Sequence, residues 1–192
     1  MKTIIKDYIS ELEINKSRFI TLLYKVKTID AVKEKIDLVK STYKDATHYC
    51  YAYVVDENKK SSDDGEPGGT AGVPIMEVLL KNDLNYVLCI VVRYFGGIKL
   101  GAGGLVRAYS KATSSSLLGD NITELIDGFK VEIIVSYDEQ KKLDYILKDY
   151  KCIKTYSESV IYLINLPKSD IDILNGYLFK ILENIQIEKD AV

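Results

Sequence analysis

Most of the usual signposts of chemistry are scarce or missing in this sequence of 192 residues. It has one histidine and no tryptophan. Its three cysteines, Cys50, Cys89 and Cys152, are odd in number, far apart, and form no C-x-x-C pair. Neither a disulfide framework nor a zinc site follows from such spacing; it fits reduced, buried thiols in a cytosolic protein. No apolar run approaches the ~18 residues that a membrane helix needs. The start, Met1-Lys2-Thr3-Ile4-Ile5-Lys6-Asp7, has no continuous apolar segment, so no signal peptide is expected. Nor is there a basic excess, the net charge being -2. Any nucleic-acid contact therefore has to come from local charge. Internal repeats and low-complexity tracts are also absent.

What remains is ordinary globular material, 47% hydrophobic and 28% charged, long enough for one large domain or two small ones. Residues 3–14 and 17–26 read as strands. Val32, Ile36, Val39 and Tyr43 recur at helical spacing, which predicts an amphipathic helix over 29–43. Residues 47–55 read as a strand, and 56–69 as a polar loop closed by Pro67-Gly68-Gly69. A helix follows Thr70, with Pro74 tolerated in its first turn. Tyr86 to Phe95 is apolar until Arg93, the mark of a strand buried on both faces. Residues 96–104 read as a glycine-rich loop and 105–118 as a helix. Beyond Gly119-Asp120-Asn121 the predicted order is strand 130–136, helix 138–149, strands 151–156 and 159–166, helix 169–182 and strand 184–188. Ser169 and Asp172 form a capping-box-like start to that second helix. The order β-α-β-β-α-β is the ferredoxin-like plan. The expected fold class is thus α+β, with a boundary near 120–128 separating domains at 1–124 and 125–192.

Nine of the twelve glycines fall between Gly65 and Gly104, in two loops that each precede a helix. Glycine leaves backbone N–H groups bare, and at a helix N-terminus such groups attract anions. Between Asp83 and Asp120 there is no acidic residue, while Arg93, Lys99, Arg107 and Lys111 all lie inside. In an acidic protein this asymmetry points to a phosphate or nucleic-acid contact carried by Arg93, Lys99, Arg107, Lys111 and the backbone of Gly101, Gly103 and Gly104. The other reading is that Arg93 and Arg107 pair with Asp63, Asp64 or Glu66 across the fold. Gly101 to Val106 matches neither G-x-x-x-x-G-K-[ST] nor G-x-G-x-x-G, so neither an ATPase nor a dehydrogenase is expected, and no cofactor.

Ser62 to Pro67 packs Asp63, Asp64 and Glu66 into four positions. Three carboxylates could hold a divalent cation or supply a general base, or could form a solvated turn. His48 lies two residues before Cys50 on the same strand face, so a Cys–His dyad competes with a structural histidine. Tyr49, Tyr51 and Tyr53 on the opposite face could stack bases, or could simply be strand residues.

Taken together, Lys16-Ser17-Arg18-Phe19-Ile20, Ala46-Thr47-His48, Ser62 to Gly72 and Val91 to Tyr109 resemble the bacterial YigZ / eukaryotic IMPACT N-terminal family. The resemblance covers about residues 16–118; Gly68-Gly69 and Phe95 are mild departures from it. It implies a first domain similar to the second domain of a small-subunit ribosomal protein and to domain IV of elongation factor G. The second would then look like domain V of that factor. A cytoplasmic protein that meets RNA, the ribosome or a translation-related partner is the function so implied, with translation regulation by analogy to the eukaryotic members. These counter a starvation-responsive kinase through a protein partner. The family brings no catalytic residues with it. The alternatives are a hydrolase acting on an anionic substrate through Asp63, Asp64, Glu66 or His48, and a protein-interaction module without nucleic-acid contact.

Overall fold

A computed structural model of the chain describes residues 1–189 and is mixed α and β with antiparallel sheets. Contacts divide the chain into two units, Met1–Thr123 and Glu124–Val192.

In the first unit the strands are β1 (Lys2–Ile4), β2 (Tyr8–Ile14), β3 (Ser17–Lys25), β4 (His48–Val55), β5 (Asn58–Ser62) and β6 (Val87–Tyr94). Its helices are α1 (Ile29–Thr42), α2 (Gly72–Lys81) and α3 (Gly101–Ser116). β2, β3, β6, β4 and β5 pair in that order, every pairing antiparallel. Alternation sorts the side chains onto two faces. Phe19, Leu23, Cys50, Ala52, Cys89 and Val91 pack with Ile75, Leu79, Leu105 and Tyr109 of α2 and α3. Ile20, Leu22, Leu88 and Ile90 pack with Val32 and Val39 of α1 on the other side. β6, in the middle, is covered on both faces, which is why it reads as an uninterrupted apolar run. Tyr49, Tyr51 and Tyr53 belong to the α1-side core and are not an open stacking platform.

Some expected elements are placed differently. The first strand breaks at residues 5–7, giving β1 and β2. The polar loop contains β5, an exposed Asn-Lys-Lys-Ser-Ser edge strand whose pairing with β4 owes nothing to apolar alternation. α3 begins at Gly101, so Gly101, Gly103 and Gly104 form its first turn. At the tip of β2–β3, Asn15 and Lys16 take φ of 47° and 63°, the left-handed pair of a tight hairpin.

The second unit consists of β7 (Ile122–Val135), which starts at the end of the first, then α4 (Tyr137–Ile146), β8 (Cys152–Tyr156), β9 (Val160–Pro167) and β10 (Leu178–Glu188). The strands lie in the order β10-β7-β9-β8, all antiparallel. Val131, Ile133, Val160, Tyr162 and Ile164 of the sheet bury Leu143 and Leu147. The helix expected over 169–182 is instead a short 3-10 helix, Lys168–Leu174, followed by β10. Gly176, at φ +95°, breaks the helical path, and residues from Leu178 onward pair with β7. Ser169 bonds the Asp170 carboxylate and caps nothing. The capping box of this unit stands at α4, between Ser136 and Glu139.

Candidate functional site

Three segments of the first unit converge at the start of α3: the beginning of β4, the acidic loop between β5 and α2, and the stretch joining β6 to α3. They line a half-open cleft of about 370 Å³, with His48, Glu66, Arg93, Phe95, Lys99 and Ala102 among its walls. The acidic and glycine-rich loops thus share one cleft, although few of their charges play the part that the sequence proposes for them.

Asp63 is a structural cap. One carboxylate oxygen accepts the N–H groups of Ala71 and Gly72 at 3.0 and 2.8 Å, and the other accepts that of Gly69 at 2.8 Å. Ala71, at the start of α2, has no capping side chain of its own; Asp63 supplies one from eight residues upstream. Partial burial alone would raise its pKa, but the three N–H bonds outweigh it and hold the carboxyl below its ordinary value. Asp64 accepts the Tyr49 N–H at 2.7 Å, while its carbonyl meets His48 Nδ1 at 2.8 Å. The left-handed turn at Asp64 (φ 43°) and Gly65 (φ 86°) brings that carbonyl under the ring, and a Cβ on Gly65 would sit 3.5 Å from Nδ1. His48 therefore donates through Nδ1 and presents Nε2 to the cavity side, 3.8 Å from Glu66 Oε2.

Glu66 and Arg93 form the floor. Arg93 Nη1 donates to Glu66 Oε1 at 2.6 Å, and their side chains are only 6% and 3% exposed. The Tyr109 hydroxyl donates to the same oxygen at 2.8 Å, and Arg93 Nη2 to Ser17 Oγ at 3.3 Å. Burial pushes the Tyr109 phenol far above its normal range. The guanidinium lies 5.5 Å from the ring centres of both Phe19 and Phe95, and Arg93 Nε is buried with no partner. Arg93 thus enters the site as a buried ion-pair partner, not as a surface cation. Cys50 bonds the Asp63 carbonyl through its thiol at 2.9 Å and is raised by burial to about 12. A thiol so placed is inert, and His48 makes its contacts with Asp64 and Glu66 instead.

The other cations stay outside. Lys99, Arg107 and Lys111 are exposed, and among the described residues none of them has an ion-pair partner. Gly103, Arg107 and Lys111 repeat every four residues and so share one face of α3; a Cβ on Gly103 would lie 3.6 Å from Arg107 Nη1. The N-terminus of α3 has no capping side chain and no acidic residue in its first turn. Its orphan N–H groups and the positive end of the dipole open beside Lys99.

Ser17, Thr47 and Tyr109 lay hidden as site residues in the sequence. Thr47 Oγ1 accepts the Phe95 N–H at 3.0 Å, and Ser17 Oγ accepts that of Gly96 at 3.3 Å. A Cβ on Gly96 would stand 1.9 Å from the Lys16 carbonyl oxygen, so only glycine lets the loop cross the β2–β3 turn. The one signal for these three was their place in the segments that carry the resemblance.

The family described as Impact N-terminal domain matches residues 15–117. The chain is 54% identical over 110 residues to "IMPACT family member YvyE" of Bacillus subtilis (strain 168), covering 56% of this chain and 51% of that protein. Over 110 residues it is 43% identical to "IMPACT family member YigZ" of Escherichia coli (strain K12), with 55% and 54% covered. The match spans about half the length of these relatives. A solved structure described as "Crystal structure of an hypothetical protein" superimposes with a TM-score of 0.62 at 29% identity, over 95% of this chain and 97% of that one.

Proposed function

The chain belongs to the Impact N-terminal domain family, and from that premise we propose that it is a cytoplasmic binding protein that contacts RNA of the translation machinery through the N-terminal half of α3. The observation that carries this reading is the uncapped start of a sixteen-residue helix opening beside Lys99, with Arg107 and Lys111 continuing the positive face. Helix-terminal N–H groups and unpaired cations fix phosphates without reading sequence. Phe95, Ile98 and Val106 are exposed beside them and give bases something apolar to rest on. Two features favour kinship with translation-factor domains. In the first unit, α2 and α3 pack on one face of an antiparallel sheet and α1 on the other. In the second, the order β10-β7-β9-β8 is compatible with a ferredoxin-like plan in which a 3-10 turn, Lys168–Leu174, takes the place of the second helix. No helix among the described residues is long and apolar enough to cross a membrane.

The carboxylate-loop hydrolase loses ground because Asp63 directs both oxygens at backbone N–H groups, Asp64 is held between the Tyr49 N–H and the Lys40 ammonium, and Glu66 is buried against Arg93. Fluorescence anisotropy with short structured and single-stranded RNAs at two salt concentrations tests the proposal. Three neutralised phosphates predict a log–log salt slope of about -2 to -3. The Lys99→Ala/Arg107→Ala/Lys111→Ala variant should lose most of both affinity and slope. A variant that binds as wild type overturns the assignment, and absence of binding at low salt leaves a protein partner as the object of search.

A further inference from the structure

We propose that the outer face of the sheet in the second unit is a weak homodimer interface, on which a second copy of this chain packs sheet against sheet. This goes beyond the RNA contact, which lies in the first unit, and does not depend on it.

Strand alternation decides which side chains lie on that face. Val131, Ile133 and Val135 of β7 and Val160, Tyr162 and Ile164 of β9 pack with Leu143 and Leu147 of α4 and with Leu174 of the 3-10 turn. The residues between them therefore point the other way, and the pairing register sets them in rows. Thr155, Ile161, Ile134 and Leu178 form one row across β8, β9, β7 and β10. Ile153, Leu163, Glu132 and Lys180 form the next, and Asn165, Lys130 and Glu183 a third. Five aliphatic side chains, Ile134, Ile153, Ile161, Leu163 and Leu178, thus adjoin one another across four strands.

Among the described residues, no hydrophobic cluster takes them in. Ile134 is 40% exposed, Ile153 69% and Leu178 75%. A sheet ordinarily buries an apolar face against a second layer, and a contiguous aliphatic patch left open marks an interaction surface.

The chemistry of the patch selects its occupant. It carries no aromatic ring on which a base could stack. Its charges cancel, since Glu132 stands opposite Lys180 and Lys130 opposite Glu183 on the β7–β10 ladder. It therefore has no net field to draw in RNA or a strongly charged protein. An isologous interface needs one surface that complements itself. A patch of one sign would repel its own copy, whereas this one offers an aliphatic block and equal numbers of both charges. The area agrees. Four strands about 4.8 Å apart and three rows about 7 Å apart make a face of roughly 19 by 20 Å. With side-chain relief, two such faces bury about 1,000 Å² in all, the lower limit for a specific contact. Such an area fits a reversible dimer with a dissociation constant of roughly 10–100 µM, not an obligate one.

Sedimentation equilibrium of the whole chain in reducing buffer, from about 1 µM to about 500 µM, tests the interface. The mass should rise from the 21.7 kDa of one chain toward twice that value and stop there, because a single isologous face closes at two. Leu178→Asp alters a side chain outside the core and should weaken association about tenfold or more, by setting a carboxylate against an aliphatic surface. Ile153→Lys should act alike and decides the matter should circular dichroism show the first variant unfolded. Tyr145→Lys, on α4 and 73% exposed, should leave association unchanged. A monomer throughout, growth beyond the dimer, or a dimer that folded Leu178→Asp and Ile153→Lys variants leave intact overturns the proposal.

Discussion

Replacing Glu66 by alanine should come close to unfolding the first unit. The carboxylate has two short partners, Arg93 Nη1 at 2.6 Å and the Tyr109 hydroxyl at 2.8 Å, and both side chains of the ion pair are more than nine-tenths buried. Without Glu66, the Arg93 cation keeps only Ser17 Oγ at 3.3 Å and the faces of Phe19 and Phe95. Stranding one member of a buried pair costs about 3–5 kcal/mol, and leaving the Tyr109 hydroxyl without its acceptor costs a further ~1–3 kcal/mol. Because the groups share one network, the two costs are not additive, and ~4 kcal/mol is expected for the substitution. Against a total stability of roughly 5–15 kcal/mol, that is a large fraction. Glu66→Gln keeps an acceptor for Tyr109 and should lose less. Glu66→Leu combined with Arg93→Met removes both charges and should recover most of the loss, since a buried pair is worth little against an apolar replacement. Urea denaturation followed by far-UV circular dichroism gives the four midpoints, the transition of the first unit being assigned by its response. A Glu66→Ala cost below about 1 kcal/mol, or a double variant no more stable than Glu66→Ala, would refute the buried-pair account.

Asp63→Asn should destabilise the same unit by about 1–2 kcal/mol, because three N–H bonds at the start of α2 lose a charged acceptor. The Asp63 pKa is lowered by folding, so its contribution is full above the ordinary carboxylate value and fades as pH falls through the lowered one. The stability gap between wild type and Asp63→Asn should accordingly close in acid; a pH-independent gap in urea titrations would contradict this. Gly96→Ala places a methyl 1.9 Å from the Lys16 carbonyl oxygen and should lower the melting temperature by the equivalent of ~3 kcal/mol or more, whereas Gly97→Ala meets no neighbouring atom and carries only the cost of its positive φ. In the native protein at neutral pH, Ellman's reagent should titrate Cys152 alone. Cys50 and Cys89 are buried thiols raised to about 12 by desolvation, and all three should react after unfolding.

What the sequence discloses of this fold follows periodicity and local chemistry. The α1 stripe, the doubly buried β6 and the strand of β4 are visible because one face or both must be apolar. β5 stays hidden: its residues are Asn, Lys and Ser, and only pairing with β4 makes them a strand. The segment from Ser169 misleads for a related reason. Ile171 and Leu174 fit a helical face, yet Gly176 turns the chain and β7 offers an edge. At the site, the two loops are legible as motifs, and the pairing of Arg93 with one of three nearby carboxylates is among the readings open from the start. That the partner is Glu66, while Asp63 caps α2 and Asp64 holds His48, depends on turn geometry at positive φ, which residue types alone do not specify.

Amide chemical-shift mapping tests most directly the central claim that the α3 N-terminal face is the RNA contact, since a chain of 21.7 kDa is within reach of solution NMR. Titration with a short RNA at low salt should shift the amides of residues 95–111 and of His48, and the changes should shrink as salt is raised. Shifts confined to the second unit, or none in residues 95–111 while RNA is bound, would contradict the account.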